Sequence, residues 1–189
     1  MKGTLLTKRS QEEMTQTLDC ISHSSAQTQR LGMRLGELLQ GGELILLDGQ
    51  LGTGKTTFTQ GLARGLGITE NITSPTFTLL KEYAHQLHPG NSTNALSDGR
   101  PYLYHFDLYR LDNPDEIIDL GFEDYFFSDG VSVIEWAEKA SSFWPNEHLN
   151  IRLKIMSETK RGLLFIATGK HYCELLRQFQ KNAYVTTGS

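Results

Sequence analysis

Apolar residues along this chain keep two spacings, one suited to helices and one to strands. Ser24-Ser25-Ala26-Gln27 sets a capping box, and the helix it starts runs to about Leu39, with Leu31, Leu35, Leu38 and Leu39 on one face. Gln40-Gly41-Gly42 stops it. Glu43 to Asp48 is a short apolar run that predicts a buried strand, and Lys55 to Leu66 carries Phe58, Leu62 and Leu66 at i, i+4 and i+8, a helix closed by Gly65-Leu66-Gly67. Phe77 to Tyr83 and Tyr102 to Tyr109 predict strands. Ala84 to Pro101 between them predicts a long mobile hairpin connection. Asn113-Pro114 opens a short helix with Ile117, Ile118 and Leu120, ended by Gly121, and Phe122 to Phe127 forms another. Val131 to Glu135 follows the turn at Asp129-Gly130 as a strand. His148 to Met156 alternates apolar Leu149, Ile151, Leu153 and Ile155, and Arg161 to Thr168 pairs with it as a hairpin. Tyr172 to Phe179 closes the pattern as an amphipathic helix. There is no internal repeat.

Strands alternating with helices define an α/β chain: a central, mostly parallel sheet with antiparallel additions and flanking helices. The 189 residues suit one domain, over residues 21–180, between a loose N-terminal extension at 1–20 and a flexible tail at 181–189. Hydrophobic residues make up 38% and charged residues 21%, an ordinary globular balance, and the net charge of −4 argues against a free-standing nucleic-acid binder, DNA included. Cys20 and Cys173 stand in no metal-type spacing and read as reduced thiols. No segment has the apolar length of a signal peptide or membrane span, so a cytoplasmic protein without membrane contact is the expectation.

Between the first strand and its helix lies Gly49-Gln50-Leu51-Gly52-Thr53-Gly54-Lys55-Thr56-Thr57, which fits G-x-x-x-x-G-K-[ST] at every fixed position. Glycines let the backbone bend round a phosphate with its N–H groups inward, and the helix N-terminus adds a positive dipole end. Lys55 would reach the β and γ phosphates of a nucleoside triphosphate, and the Thr56 hydroxyl would ligate Mg²⁺. The bland alternative, a Gly-rich turn with a chance Lys-Thr, does not explain strand, loop and helix in this order. The fold expected is therefore a P-loop nucleotide-binding fold.

Such a site needs a second magnesium anchor at the end of another strand. Glu135 closes Val131-Ser132-Val133-Ile134 at the edge where open parallel sheets bind ligands, and Trp136 marks the strand's end. Asp107 is the other candidate, for Mg²⁺ or for the attacking water. In Tyr104-His105-Phe106-Asp107-Leu108-Tyr109, His105 and Asp107 share one face, which suggests a wet cleft; a half-buried structural histidine is the alternative for His105. Thr73-Ser74-Pro75-Thr76 supplies hydroxyls in a segment suited to sensing a γ-phosphate.

Four blocks in order, Gly49 to Phe58, Ser74-Pro75-Thr76-Phe77-Thr78-Leu79, Tyr104 to Leu111, and Val133-Ile134-Glu135-Trp136-Ala137-Glu138, give the chain a specific likeness. From about Ser24 to Gly169 it resembles the bacterial TsaE family, the small ATPases of tRNA threonylcarbamoyladenosine biosynthesis. The resemblance implies that Gly52, Thr53, Gly54, Lys55, Thr56 and Thr57 bind ATP phosphates, that Thr56 and Glu135 are magnesium ligands, and that Asp107 is the acid of the His-x-Asp-x-Tyr-Arg block. It implies switch-like roles for Ser74 to Thr76 and His105 to Arg110, places Trp136 near the nucleotide, and puts Ser25 where the family meets the base. Lys55, Asp107 and Glu135 are then the catalytic set. It also implies that the chain works on a heterodimer of two actin-like-superfold proteins, one catalytic and one supporting, resetting it between rounds of modification and touching tRNA only indirectly. The chain departs from the pattern in a longer 84–101 loop, in Gln50 where Asp is common, and in a long, poorly matching N-terminal extension.

Two other functions compete. A self-contained small-molecule kinase would need an Arg-rich lid, but the arginines are scattered and the long loop carries only Arg100 near its end. A GTP switch would need a guanine-reading segment such as Asn-Lys-x-Asp, and the chain has none.

Overall fold

The computed structural model describes residues 14–84, 100–119 and 121–184. Elements follow in the order β1 (Thr15–Ser22), α1 (Ser25–Gly36), β2 (Leu44–Asp48), α2 (Lys55–Gly65), β3 (Leu80–Tyr83), β4 (Leu103–Asp107), α3 (Glu116–Asp119), α4 (Glu123–Phe126), β5 (Val131–Glu135), β6 (His148–Ile155), β7 (Arg161–Thr168) and α5 (Lys170–Tyr184). A 3-10 turn at Ala137–Ala140 follows β5. One seven-stranded sheet takes the order β1-β7-β6-β2-β5-β4-β3. Its centre, β6-β2-β5-β4, is parallel, and the antiparallel pairs β1/β7, β6/β7 and β3/β4 extend it at both sides. The α/β architecture is the one expected.

Strand alternation splits the core into two layers. Ile45, Leu47, Val131 and Val133 face α1, α2 and α5, where Leu35, Phe58, Leu62 and Phe179 are wholly buried. Leu44, Leu46, Phe106 and Ile134 face the other way, against Ile117, Phe122 and Phe126. Helices α1 and α2 pack at very short range. A Cβ added at Gly61 would lie 2.0 Å from the Gln29 carbonyl oxygen, and one added at Gly32 would lie 2.2 Å from that of Phe58. Only glycine permits that approach, and it brings the start of α1 beside the start of α2.

Three expectations need correction. The N-terminal extension is not loose through residue 20: Thr15–Ser22 pairs with β7 over its whole length, so the sheet gains an edge strand. That pairing satisfies backbone groups that a polar segment of this kind would otherwise leave to water. The strand expected from Phe77 begins only at Leu80, because Thr78 and Leu79 donate back to the Pro75 carbonyl and Leu79 is left-handed (φ 63°). Helix α5 runs to Tyr184, beyond the point where a tail was expected. The long connection falls largely outside the described residues, as do most of the N-terminal extension and the last five residues.

Candidate functional site

Strands β2, β5 and β4 run parallel, so Asp48, Glu135 and Asp107 end at one edge of the sheet. That edge is where ligands meet open α/β sheets. Gly49 leaves β2 at φ 140°, and a Cβ there would lie 2.4 Å from the Leu153 carbonyl oxygen. Gly52 (φ 78°) and Gly54 (φ 101°) are left-handed, and Gly54 caps α2 without a side chain. The helix therefore starts with its backbone N–H groups turned to the hollow beside it.

That hollow holds about 410 Å³ and is lined among others by Lys55, Thr56, Ser74, Asp107, Glu135 and Trp136. Thr56 Oγ1 donates to Glu135 Oε2 at 3.0 Å. The imidazole Nε2 of His105 lies 2.9 Å from Glu135 Oε1. Asp107 Oδ2 accepts from Ser74 Oγ and, at 2.8 Å, from Thr76 Oγ1, while its Oδ1 accepts from the Tyr109 N–H at 2.9 Å. Glu135, Asp107 and His105 are all buried. The wet cleft expected around His105 is thus corrected: β4 lies inside the sheet between β5 and β3, and the imidazole is fully covered.

Lys55 is buried as well, and its Nζ donates to the Gly49 carbonyl and, at 3.2 Å, to that of Gln50. It also sits 3.7 Å from the centre of the Trp136 ring. Burial lowers its basicity, opposed by the carboxylates of Glu135, Glu138, Asp107 and Asp48. Partial desolvation, and after it the nearby Asp48, pushes Glu138 up from the usual carboxylate range. Trp136 is left-handed (φ 62°) and donates its N–H to the Leu47 carbonyl at 2.9 Å. Such a conformation costs a bulky residue about 1–3 kcal/mol. It ends β5 at Glu135 and lays the indole against Lys55 and, at 5.0 Å between centroids, against Tyr109.

A second hollow of about 290 Å³ lies on the other side of the loop. Ser25, Thr28, Gly52, Gly54 and Thr57 line it, together with Glu158, Thr159 and Arg161 from the β6–β7 hairpin. Arg161 Nη2 donates to the Gly52 carbonyl at 3.2 Å. The start of α1 is fixed there by Ser24, which accepts from the Gln27 N–H at 3.2 Å, while Gln27 accepts from the His23 N–H at 2.8 Å.

The structure therefore brings together Gly52, Gly54, Lys55, Thr56, Thr57, Asp107, Glu135 and Trp136, with Ser25 across the loop. Thr53 is different. It lines neither hollow, and its hydroxyl turns inward to the Gln50 carbonyl at 2.8 Å, so its side chain shapes the loop. Sequence reasoning missed Glu158, Thr159 and Arg161. The signal available was a polar Ser157-Glu158-Thr159-Lys160 turn between two strands, which does not say what it faces. A hollow of about 460 Å³ at the far end of α2, beside Gln60, Arg64 and Thr69, holds none of the expected site residues.

Hard oxygen donors such as the Thr56 hydroxyl and the Glu135 carboxylate suit a magnesium ion, and they already touch. Asp107 fits direct ligation less well, because its carboxylate is taken by two hydroxyls and an amide.

A parallel sheet edge, a glycine loop opening a helix, and a lysine and threonine facing an acid from the next strand define an α/β protein of the phosphate-loop class. A family model described as threonylcarbamoyl adenosine biosynthesis protein TsaE matches residues 22–163. The chain belongs to the TsaE family. It is 41% identical over 144 residues to the tRNA threonylcarbamoyladenosine biosynthesis protein TsaE of Treponema pallidum (strain Nichols), covering 76% of this chain and 96% of that one. To the protein of the same name from Bacillus subtilis (strain 168) it is 40% identical over 141 residues, 75% of this chain and 80% of that one. The crystal structure of Bacillus subtilis YdiB superposes with a TM-score of 0.73 at 32% identity, covering 90% of this chain and 98% of that one.

Proposed function

We propose that the chain is an ATPase of tRNA threonylcarbamoyladenosine biosynthesis, binding and hydrolysing ATP with Mg²⁺ to reset a partner threonylcarbamoyl-transfer complex. The observation that carries this reading is the contact of Thr56, at the start of α2, with Glu135, at the end of β5, directly beside Lys55. The names of the relatives supply the pathway. Triphosphate oxygens would draw Lys55 Nζ from the loop carbonyls, and the amides at the start of α2 would face the same charge. Thr56 and Glu135 would hold the magnesium ion, which supplies charge neutralisation on the phosphates. Asp107, held by Ser74 and Thr76, would orient the attacking water, so the 74–76 segment would feel whether a γ-phosphate is present. The hollow beside Ser25, Thr28 and Arg161 would take the nucleoside.

The partner would be the heterodimer of catalytic and supporting actin-like-superfold proteins, with tRNA reached through it. Among the described residues no helix is long and apolar enough to cross a membrane. The test is ATP hydrolysis with and without the purified heterodimer and tRNA. Turnover that rises with the partners is expected, and Lys55→Ala should end repeated rounds of modification. Multiple rounds supported by Lys55→Ala would refute the motor role. Transfer of phosphate to a small-molecule acceptor without partners would favour the kinase reading instead.

A further inference from the structure

His105 is a buried polar group at the carboxylate cluster without a task in that scheme. It lies wholly covered in β4, beside Val133 on β5 and Lys81 on β3 in the sheet register. Its Nε2 meets Glu135 Oε1 at 2.9 Å, and its buried Nδ1 has no hydrogen-bond partner among the described residues. An ionised carboxylate only accepts, so the ring proton belongs on Nε2. Leaving Nδ1 bare costs stability that an apolar side chain at this position would not. What the imidazole gives in return is a fixed Glu135: Oε1 is tied to β4, and Oε2 alone faces the Thr56 hydroxyl.

We propose that His105 is a positioning residue that presents Glu135 with one oxygen outward and thereby makes the site prefer magnesium to calcium. This rests on the reading that Thr56 and Glu135 hold the divalent ion. Magnesium is small and demands near-octahedral geometry, whereas calcium accepts six to eight oxygens and readily takes both from one carboxylate. An N–H bound to Oε1 withholds the second oxygen. Outer-shell partners of this kind orient metal-binding acids in general.

The test is the affinity of the full chain for a fluorescent ATP analogue in chelator, in Mg²⁺ and in Ca²⁺. In the native protein Mg²⁺ should tighten binding more than Ca²⁺ does. His105→Leu should leave binding in chelator unchanged but reduce the Mg²⁺ advantage about tenfold or more, the usual effect of losing an outer-shell partner. His105→Gln, which keeps an N–H donor, should restore the preference. A folded His105→Leu with the native Mg²⁺-to-Ca²⁺ ratio would overturn the proposal, as would a folded His105→Gln that has lost it; the second result decides if the leucine variant does not fold. Native protein whose nucleotide affinity ignores both metals would overturn the magnesium reading itself, and this proposal with it.

Discussion

Gly61→Ala should destabilise the protein although it adds a single methyl group to a helix. Alanine is the better helix former by about 1 kcal/mol, so an uncrowded site would gain from the change. Here the new Cβ would stand 2.0 Å from the Gln29 carbonyl oxygen, 2.7 Å from its carbon and 2.9 Å from the Gln29 Cα. All three are backbone atoms of α1, so no rotamer can relieve the contact. The two helices must separate, and they are already tight at Gly32, Gly36 and Gly65. Overpacking of this kind costs about 1–3 kcal/mol and at times more. With rigid backbone on both sides the cost lies at the upper end of that range, so after the helix-propensity gain a net loss of about 2 kcal/mol is expected, equal to a fall in Tm of roughly 4–8 °C for a chain of this size. Thermal melts and urea unfolding measure it. Gly121→Ala is the control: φ there is +66°, but nothing lies within 4 Å of the added Cβ, so only the left-handed strain of about 1 kcal/mol applies. A Gly61→Ala protein as stable as the native one would refute the close packing of α1 on α2, and with it the placement of Ser25 and Thr28 beside the loop.

Asp107→Asn should keep the fold, since the amide can accept from Tyr109 N–H and donate to Ser74 or Thr76, yet slow ATP turnover by about 10²-fold if a carboxylate is needed for the water; unchanged turnover at saturating ATP would remove Asp107 from the catalytic set. Burial pushes the Tyr172 phenol up to about 12 from an ordinary value of 10.0, so the folded state holds a proton that the unfolded state releases. That stabilisation, about 2–3 kcal/mol, is full below pH 10 and is lost as pH rises towards 12. Tyr172→Phe should flatten urea stability across that window, and an equally steep loss in the variant would assign the slope to other groups. Burial and the adjacent Asp19 likewise raise the Cys20 thiol to about 11. Alkylation at pH 8 should therefore be slow in the folded protein and fast in urea, and equal rates would contradict the half-buried setting of Cys20 in β1.

The central fold was legible because local pattern and tertiary role agree there. Leu44 to Leu47 is buried on both faces of the sheet and reads as an apolar run, while Phe58 and Leu62 recur at helical spacing and pack beneath it. Where long-range pairing decides, pattern failed. In β1 only Leu18 and Ser22 are buried, so its sequence resembles an exposed tail, and its structure comes from β7, far along the chain. Phe77 failed in the opposite sense. It is apolar and β-prone, yet it is 83% exposed under the Arg110 guanidinium, because Ser74 and Thr76 are drawn down onto Asp107 and the chain must turn before β3 can begin.

The candidate site divides along the same line. Residues fixed by strand ends and by the glycine loop could be named from sequence, because a motif with strand and helix on its flanks leaves few placements. What Glu135 touches could not. Alternation sets its face of β5, but its two oxygens are partnered separately, by Thr56 from α2 and by His105 from β4, and these meet only when three elements converge. A polar face on β4 has two physical readings, a wet cleft or a buried network, and burial alone distinguishes them. The structure selects the network. The polar residues of β4 therefore do not simply line a cavity for water. His105 holds one oxygen of Glu135, and the direction left to the other is what a small divalent ion between Thr56 and Glu135 would depend on.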